Sequence, residues 1–199
     1  VDFDTLALEV FQFQYENVSV YHDYCNFLKR THPKSIEEIP FLPIEFFKSE
    51  EIIAKGHSTE TKFMSSGTGG TRSSHFVART NLYEHTFERI YRNQIGNPEE
   101  QVILALLPNY IEQGNSSLVY MVDHLIRLTK SEMSGFYLNN LEDLIEQYKS
   151  ATKLGKKVVI FGVSYALLDL CELHPNLENA IIVETEDGLG TTFAVRVPA

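Results

Sequence analysis

Two apolar stretches decide the predicted fold: Gln101-Val102-Ile103-Leu104-Ala105-Leu106-Leu107 and Lys157-Val158-Val159-Ile160-Phe161-Gly162. The first reads as a buried strand that ends at Pro108, because proline cannot continue the hydrogen-bonded ladder. The second reads as a strand that runs directly into a helix over residues 164–173. Shorter strands are predicted at 61–64, 75–78, 135–138 and 180–184.

Helical segments alternate with these strands. The apolar spacing predicts helices over residues 5–17, 19–29, 81–94, 116–129 and 140–153, with Leu154-Gly155 as the stop of the last one. Asp4, Ser19 and Ser116 are the predicted N-caps. The buried face of the 81–94 helix is expected to carry Leu82, Phe87, Ile90 and Tyr91. Strands separated by helices of this length predict an α/β fold with a mostly parallel sheet flanked by helices, preceded by an N-terminal helical segment.

Composition narrows the classes of function. Of the 199 residues, 43% are hydrophobic and 22% are charged, which are values typical of a globular protein. The formal net charge of -10 and the pI near 5.1 disfavour non-specific nucleic-acid binding. Its two cysteines, Cys25 and Cys171, favour a reducing compartment. The first residues lack the features of a signal peptide, and no apolar run reaches the roughly 20 residues of a membrane span. We therefore expect a cytoplasmic protein without a membrane span or a nucleic-acid partner.

The carboxyl ends of parallel strands are the usual ligand-binding edge of such a sheet. This rule selects residues 108–114, residues 162–165 and the segment after Thr185. Gly162 permits a tight turn, and Ser164 is a predicted cap of the helix that follows it, where an anion would also be favoured. Polar residues of the first loop, which include Asn109 and Tyr110, serve equally well as ordinary loop and cap residues.

A loop rich in hydroxyl groups and glycine lies between the strands predicted at 61–64 and 75–78: Phe63-Met64-Ser65-Ser66-Gly67-Thr68-Gly69-Gly70-Thr71-Arg72-Ser73-Ser74. It contains no acidic residue. Glycine lets backbone N–H groups approach phosphate oxygens, and hydroxyl groups add further donors. The strand–loop–strand setting argues against a Walker P-loop, which opens a helix. A polar hairpin turn without any ligand explains the same composition.

These residues resemble adenylate-forming enzymes, whose phosphate-binding signature runs roughly Ser-Ser-Gly-Thr-Thr-Gly. Within that superfamily the chain looks like the acyl-protein synthetases, the long-chain fatty-acid ligases (luciferin-component ligases) of bacterial luminescence. The resemblance covers about residues 35–185 and is carried by the glycine-rich loop together with the following stretches: Ile39 to Lys48, Leu107 to Tyr110, Asn115 to Met121, Ile160 to Leu168 and Ile181 to Thr185.

The resemblance implies ATP-dependent activation of a fatty or other carboxylic acid as an acyl-adenylate, with Mg²⁺, followed by transfer to a thiol of a protein, such as an acyl reductase, or of CoA. It assigns the ATP phosphates to Ser65, Ser66, Gly67, Thr68, Gly69, Gly70, Thr71, Arg72 and Ser73. It assigns the acyl side to Asn109, Tyr110, Ser116, Gly162, Ser164 and Tyr165. Tyr165, Ala166 and Leu168 are apolar enough to line that side, but they are equally good core residues. Ser73 stands where many adenylating enzymes have lysine, and the luminescence branch also tends to have serine there. Gly69 replaces the usual second threonine or serine of the signature and so removes one hydroxyl donor. No catalytic residue is assigned.

The last residues depart from the family, which is expected to continue Gly-Gly-Met-Lys-Gly after Thr185. Residues 186–199 instead resemble the closing strand of histidine-kinase ATPase domains, although a glycine-rich turn and one amphipathic strand account for them equally well. The expected organisation is an N-terminal helical segment over 1–60, a partial adenylate-forming domain over 61–185 and a tail over 186–199. We expect an incomplete chain, and neither cysteine inherits the acyl-accepting thiol.

Three functions stay open from the sequence: an adenylating ligase fragment, a non-catalytic module of the same fold that binds an acyl group or a partner, and a piece of a kinase-type ATPase. A zinc site is a further alternative, because His22 and Cys25, and Cys171 and His174, have zinc-compatible spacing. Structural zinc motifs usually place cysteine pairs on turns rather than on helices, so we predict no metal site.

Overall fold

The structure is a computed structural model that describes residues 2–65, 71–107, 115–173, 175–185 and 193–196. It divides into two compact units, residues 1–80 and residues 81–199. The first unit contains both the N-terminal helices and the hairpin that flanks the glycine-rich loop. The domain boundaries predicted after residues 60 and 185 concern the expected family domain and stay a prediction.

The first unit begins with two helices, α1 (Phe3–Asn17) and α2 (Ser19–Phe27), followed by a 3₁₀ turn at Ile36–Glu38 and a short helix α3 (Phe46–Ser49). Its strands, β1 (Thr61–Met64) and β2 (Ser74–Val77), form an antiparallel hairpin, as the sequence predicted. The buried core of this unit consists of Phe11, Val18, Tyr21, Cys25 and Ile39.

Both predicted caps in this unit were wrong. Asp2, rather than Asp4, caps α1, because its carboxylate accepts hydrogen bonds from the backbone N and the Oγ1 of Thr5, each at 2.9 Å. Helix α2 begins after Val18, and no side chain caps it, so Ser19 is simply its first residue. The local sequence shows that a polar residue lies near the start of a helix, but it does not determine which residue occupies the N-cap position.

The second unit is built around a five-stranded sheet. Its elements are α4 (Thr80–Gln94), a 3₁₀ turn at Pro98–Glu100, β3 (Gln101–Leu106), α5 (Ser117–Thr129), β4 (Gly135–Phe136), α6 (Leu141–Lys153), β5 (Lys157–Val163), α7 (Ser164–Glu172), β6 (Ala180–Thr185) and β7 (Phe193–Arg196). The strand order is β4-β3-β5-β6-β7. All neighbours pair in parallel except β6 and β7, which are antiparallel. The predicted α/β fold with a mostly parallel sheet is therefore confirmed.

Helices cover both faces of this sheet. Side chains of α6 and α7, such as Leu144 and Leu170, pack on one face with Leu104 of β3. Side chains of α4 and α5, such as Phe87 and Leu125, pack on the other. Every residue of β3 is buried because the strand is enclosed from both sides, which explains its continuous apolar run.

The predicted face of α4 was half wrong. Phe87 and Tyr91 are buried, but Leu82 is 66% exposed and Ile90 is 58% exposed. The face that packs on the sheet instead includes Tyr83, whose ring meets Phe87 edge-on at 5.0 Å. Tyr83, Phe87 and Tyr91 follow one another at steps of four, a spacing that brings side chains onto the same side of a helix. The Tyr83 hydroxyl also donates to the Ser117 carbonyl at 3.2 Å, so the ring packs on the core while its polar end is hydrogen-bonded.

Helix ends in this unit follow local chemistry more closely. The Ser116 hydroxyl accepts a hydrogen bond from the Val119 backbone N at 3.3 Å and caps α5, as predicted. Gly155, with a φ of 68°, follows the end of α6, also as predicted. Ser164 was a wrong prediction, since it is the first residue of α7 and Val163 occupies the cap position without a side-chain hydrogen bond. Among the described residues, no helix combines the length and apolar character needed to cross a membrane.

Candidate functional site

The glycine-rich loop is closed at its base by a pair of serines. Beyond the last strand pair, Met64 with Ser74, the Ser65 backbone N donates to the Ser73 carbonyl at 3.1 Å. The Ser73 backbone N donates in return to the Ser65 hydroxyl, also at 3.1 Å. Ser73 is only 5% exposed, whereas Ser65 is exposed. Ser65 and Ser73 therefore fix where the loop leaves and re-enters the hairpin.

The described residues of the loop separate into anchors and exposed donors. Thr71 and Arg72 are exposed, whereas Ser73 is buried and its hydroxyl lies 3.5 Å from Nε2 of His75. The His75 ring stacks on Phe47 of α3 with a centroid separation of 4.9 Å, and this contact joins β2 to α3. The other predicted phosphate-binding residues of this loop lie outside the described residues: Ser66, Gly67, Thr68, Gly69 and Gly70.

The start of the hairpin is tied to its end by Glu60. The Glu60 carboxylate accepts hydrogen bonds from the backbone N of Thr80 at 2.8 Å and from its Oγ1 at 2.7 Å. These bonds lower the pKa of Glu60, because they stabilise the ionised carboxylate. Sequence reasoning missed this contact, since it joins residues twenty positions apart with no local motif between them.

The second candidate region is the carboxyl edge of the parallel sheet. Leu106 of β3 pairs with Gly162 of β5, and Gly162 pairs with Glu184 of β6. The ends of these three strands therefore lie side by side, as the sequence predicted for their loops. Asn109 and Tyr110, in the loop that follows β3, lie outside the described residues.

The strand order adds a feature that the sequence did not reveal. The chain runs from β3 through α5 to β4 on one side of β3. It then returns through α6 to β5 on the other side of β3. The helices that follow β3 and β5, which are α5 and α7, lie on opposite faces of the sheet. A crevice outside the carboxyl ends of the strands at such a topological switch point is where open α/β sheets bind ligands. Ser116 and Gly162, both predicted site residues, flank this point.

Gly162 leaves little room for a side chain at this edge. A Cβ added there would lie 2.7 Å from Cγ of Leu167 and 3.4 Å from Cβ of Leu106, so the Leu167 side chain would have to move to accommodate it. The neighbouring strand contributes Thr185, which is 2% exposed and whose hydroxyl donates to the Gly162 carbonyl at 3.5 Å. These contacts hold the backbone where β5 turns into α7.

Two helix N-termini follow the strands at the switch point. The N-terminus of α5 is capped by Ser116, whereas α7 has no side-chain cap. The first backbone N–H groups of a helix have no partner within the helix and carry partial positive charge. The start of α7 at Ser164 therefore presents donors to an anionic group near Gly162.

Predicted acyl-side residues on α7 do not share one environment. Tyr165 is 50% exposed and Leu168 is 66% exposed, while Ala166 is buried in the core with Leu106 and Leu170. Ala166 therefore packs in the core, which is one of the two roles that the sequence left open for it. Tyr165 is accessible, and its role stays a prediction.

A polar groove between α4 and α5 was missed by sequence reasoning. It encloses about 200 Å³ and is lined by Glu84, Tyr120, Asp123, His124 and Arg127. His124 Nε2 lies 2.7 Å from Glu88 Oε1, and the Tyr120 hydroxyl donates to Glu84. The spacing of Glu84 and Glu88, and of Tyr120 and His124, four residues apart on predicted helices, was the available signal.

The zinc alternative gains no support from the side chains that the structure describes. Cys25 is fully buried, and burial raises the pKa of its thiol, which disfavours the thiolate that zinc requires. His22 stacks on the Tyr15 ring at 4.5 Å, and Cys171 is exposed. Within the described residues no three potential ligands gather, and His174 lies outside them.

Comparison of the chain with models of known protein families gives no match, and comparison with curated protein sequences gives none either. A function for this chain therefore has to be inferred from its residues and their geometry.

Proposed function

We propose that this chain binds ATP through the loop of residues 65–73 and activates a carboxylic acid as an acyl-adenylate. The observation that carries the proposal is the closed base of that loop. The Ser65–Ser73 hydrogen bonds hold both ends of a segment rich in hydroxyl groups and glycine, and the exposed Arg72 supplies a cation beside it. Such a segment offers many donors to phosphate oxygens.

The chemistry demands donors more than it demands a catalytic acid or base. A carboxylate oxygen attacks the α-phosphorus of ATP, the bond to the bridging oxygen breaks, and pyrophosphate leaves with the electron pair. ATP brings the leaving group, and Mg²⁺ bound with it neutralises phosphate charge. The role of the chain is to bind the β- and γ-phosphates through the loop hydroxyl groups, its backbone N–H groups and Arg72.

The acid would bind at the carboxyl edge of the sheet in the second unit. The uncapped start of α7 supports this assignment, because its N–H groups favour a carboxylate or phosphate near Gly162 and Ser164. Ser116 holds the start of α5 in place, and Tyr165 presents an accessible apolar ring. The acyl group would then pass to a thiol of a protein or of CoA. A cytoplasmic location is part of this proposal.

The first test measures binding of ATP with Mg²⁺ to the 199-residue chain by isothermal titration calorimetry. Arg72→Gln removes one charge-assisted contact, which is worth about 1.5–3 kcal/mol, so we expect roughly a 10- to 100-fold increase in Kd. Arg89→Gln is the matched control, because Arg89 is an exposed arginine on α4. Equal effects of the two substitutions would contradict phosphate binding by the loop.

The second test separates catalysis from binding. Exchange of labelled pyrophosphate into ATP that depends on added fatty acid is expected if the acyl-adenylate forms, and the paired change Ser66→Ala with Thr68→Ala should abolish it. Fatty-acid binding that survives this paired change, when the parent chain shows no exchange either, would favour the non-catalytic acyl-binding or partner-binding module instead. Exchange that proceeds unchanged in the paired variant would refute the role of the loop.

A further inference from the structure

Helix α1 carries an apolar stripe that the described structure leaves uncovered. Phe3 is 75% exposed, and Leu6, Val10 and Phe13 are each 50% exposed. At about 100° per residue these four side chains lie within roughly 80° of the helix circumference. They follow one another at steps of three, four and three, which is the spacing of a seam between two packed helices.

This stripe is distinct from the face by which α1 packs in its own unit. The inner face carries Phe11, with Ala7, Leu8 and Tyr15 packed around the same cluster. The helix therefore has two apolar faces and uses one. A helix that is apolar on two sides is normally covered on both, and an exposed contiguous patch of this kind is characteristic of an interaction site.

The charges beside the stripe indicate what covers it. Glu9 and Glu16 are exposed and lie seven residues apart, so they form an acidic row along a single edge of the stripe, and the exposed Asp2 precedes them at the N-cap. The segment before Lys29 contains no lysine or arginine. The opposite edge carries Ala7 and Gln14, which are uncharged.

We propose that the outer face of α1 is a docking surface for an amphipathic helix of a partner protein, whose apolar seam is flanked by lysine or arginine. Flanking charges of opposite sign select partners in helix pairs and direct their orientation. The acidic row supplies one half of that complementarity.

A second copy of this chain fits the surface poorly. In an antiparallel pair of α1 helices, the row that contains Glu9 and Glu16 would face its own copy, and like charges would repel. In a parallel pair, the row would face the uncharged edge at Ala7 and Gln14 and gain nothing. The net charge of -10 adds to the repulsion between copies.

The size of the surface sets the expected affinity. Four side chains on a helix of 15 residues form an interface smaller than the roughly 1,200 Å² that stable complexes bury. We therefore expect a micromolar, readily reversible complex that weakens as salt is added.

The test uses two synthetic helical peptides as probes. Each has leucine at its seam positions, and one carries lysine whereas the other carries glutamate at the flanking positions. Fluorescence anisotropy with the 199-residue chain at low salt should give a micromolar Kd for the lysine peptide and at least a tenfold weaker one for the glutamate peptide. Equal affinities of the two peptides would overturn the proposed charge complementarity.

Variants locate the binding on α1. Leu6→Ser with Val10→Ser should weaken binding of the lysine peptide at least tenfold, because it removes the centre of the seam. Leu82→Ser with Ile90→Ser is the matched control, since these leucine and isoleucine side chains are equally exposed on α4, and it should leave the Kd unchanged. Circular dichroism confirms that both variants stay folded. Equal losses in the two variants would show non-specific adsorption and refute the assignment.

The acidic row and the second copy have their own readouts. Glu9→Gln with Glu16→Gln should weaken binding of the lysine peptide severalfold and reduce its salt dependence, and unchanged salt dependence would argue against the row. Sedimentation velocity of the chain should show a monomer at micromolar concentrations. A dimer that Leu6→Ser with Val10→Ser dissociates would replace the proposed partner helix with a second copy.

Discussion

Gly162 is the position in the central strands where one added methyl group should have the most informative effect. A Cβ at this residue would lie 2.7 Å from Cγ and 2.8 Å from Cδ2 of Leu167. Ordinary carbon contacts are about 3.5–4.0 Å, so the Leu167 side chain has to move by most of an ångström. It is itself packed against the core between the sheet and α7, which limits that movement.

The expected cost of Gly162→Ala follows from two opposing terms. Overpacking of a core by one methyl group costs about 1–3 kcal/mol. Alanine recovers about 0.5–1 kcal/mol of the backbone entropy that glycine loses in a strand. The net loss in unfolding free energy is therefore between about 0 and 2.5 kcal/mol, with a central value of about 1.2 kcal/mol, and each kcal/mol corresponds to a decrease in Tm of about 2–4 °C for a chain of this size.

A double-mutant cycle isolates the clash. Urea unfolding is measured for the parent chain, Gly162→Ala, Leu167→Ala and the double variant. Hydrogen exchange of the β5 amides assigns the effect to the second unit. Because Leu167→Ala removes the atoms that the new methyl group meets, the double variant should be more stable than the sum of the single losses predicts, by about 1 kcal/mol.

The contrasting glycine is Gly155, where a Cβ would meet nothing within 4 Å but φ is +68°. Gly155→Ala should cost about 1 kcal/mol through backbone strain, and Leu167→Ala should not relieve that cost. If the Gly162 and Leu167 changes are additive, their contact does not limit this edge of the sheet, and a steric requirement for glycine at position 162 is refuted.

Three further predictions concern the local chemistry of the second unit. Ser116→Ala should lower the unfolding free energy by about 0.5–2 kcal/mol through loss of the α5 cap. Ser164→Ala should change it by less than about 0.5 kcal/mol, because Ser164 does not cap α7. Equal losses for the two variants in urea unfolding would contradict the assigned caps. Tyr91→Phe should cost about 1–3 kcal/mol by leaving the buried Gln101 carbonyl oxygen without its donor, and further substitution of Gln101→Leu should recover part of that loss. Glu99 has a pKa lowered to about 2, chiefly by the hydrogen bonds that its carboxylate accepts from Arg92 of α4. The contribution of Glu99 to the stability of the fold is therefore complete above about pH 4.5 and is lost as the pH falls towards 2.

The Glu99 contribution is measured as the difference in unfolding free energy between the parent chain and Glu99→Gln. Its side chain is 44% exposed, so solvent screening limits the difference to about 0.2–1 kcal/mol near pH 7. The difference should disappear as the pH falls from about 4.5 to 2. A difference that grows over that interval would have the wrong sign for a lowered pKa.

Several parts of the fold and the site could be predicted from residues near one another in the chain. Residues 101–107 and 157–162 are apolar throughout, and burial on both faces of a sheet allows little else. Ser116 and Gly155 mark helix ends because their effects act within a single turn. The hairpin around the glycine-rich loop followed from its short flanking strands. These features depend on residues that lie close together in the chain, so the sequence alone is enough to predict them.

The tertiary structure decided what depends on distant residues. It placed β3 between β4 and β5, which creates the switch point beside Gly162, because that order depends on which crossover helices can pack on each face. It chose Tyr83 over Leu82 on α4, since only packing against the sheet and the Ser117 carbonyl distinguishes those two sides of the helix. It also left the outer stripe of α1 exposed. Apolar spacing shows that a helix has a face to bury, but the free energy of packing against distant residues determines which face is covered.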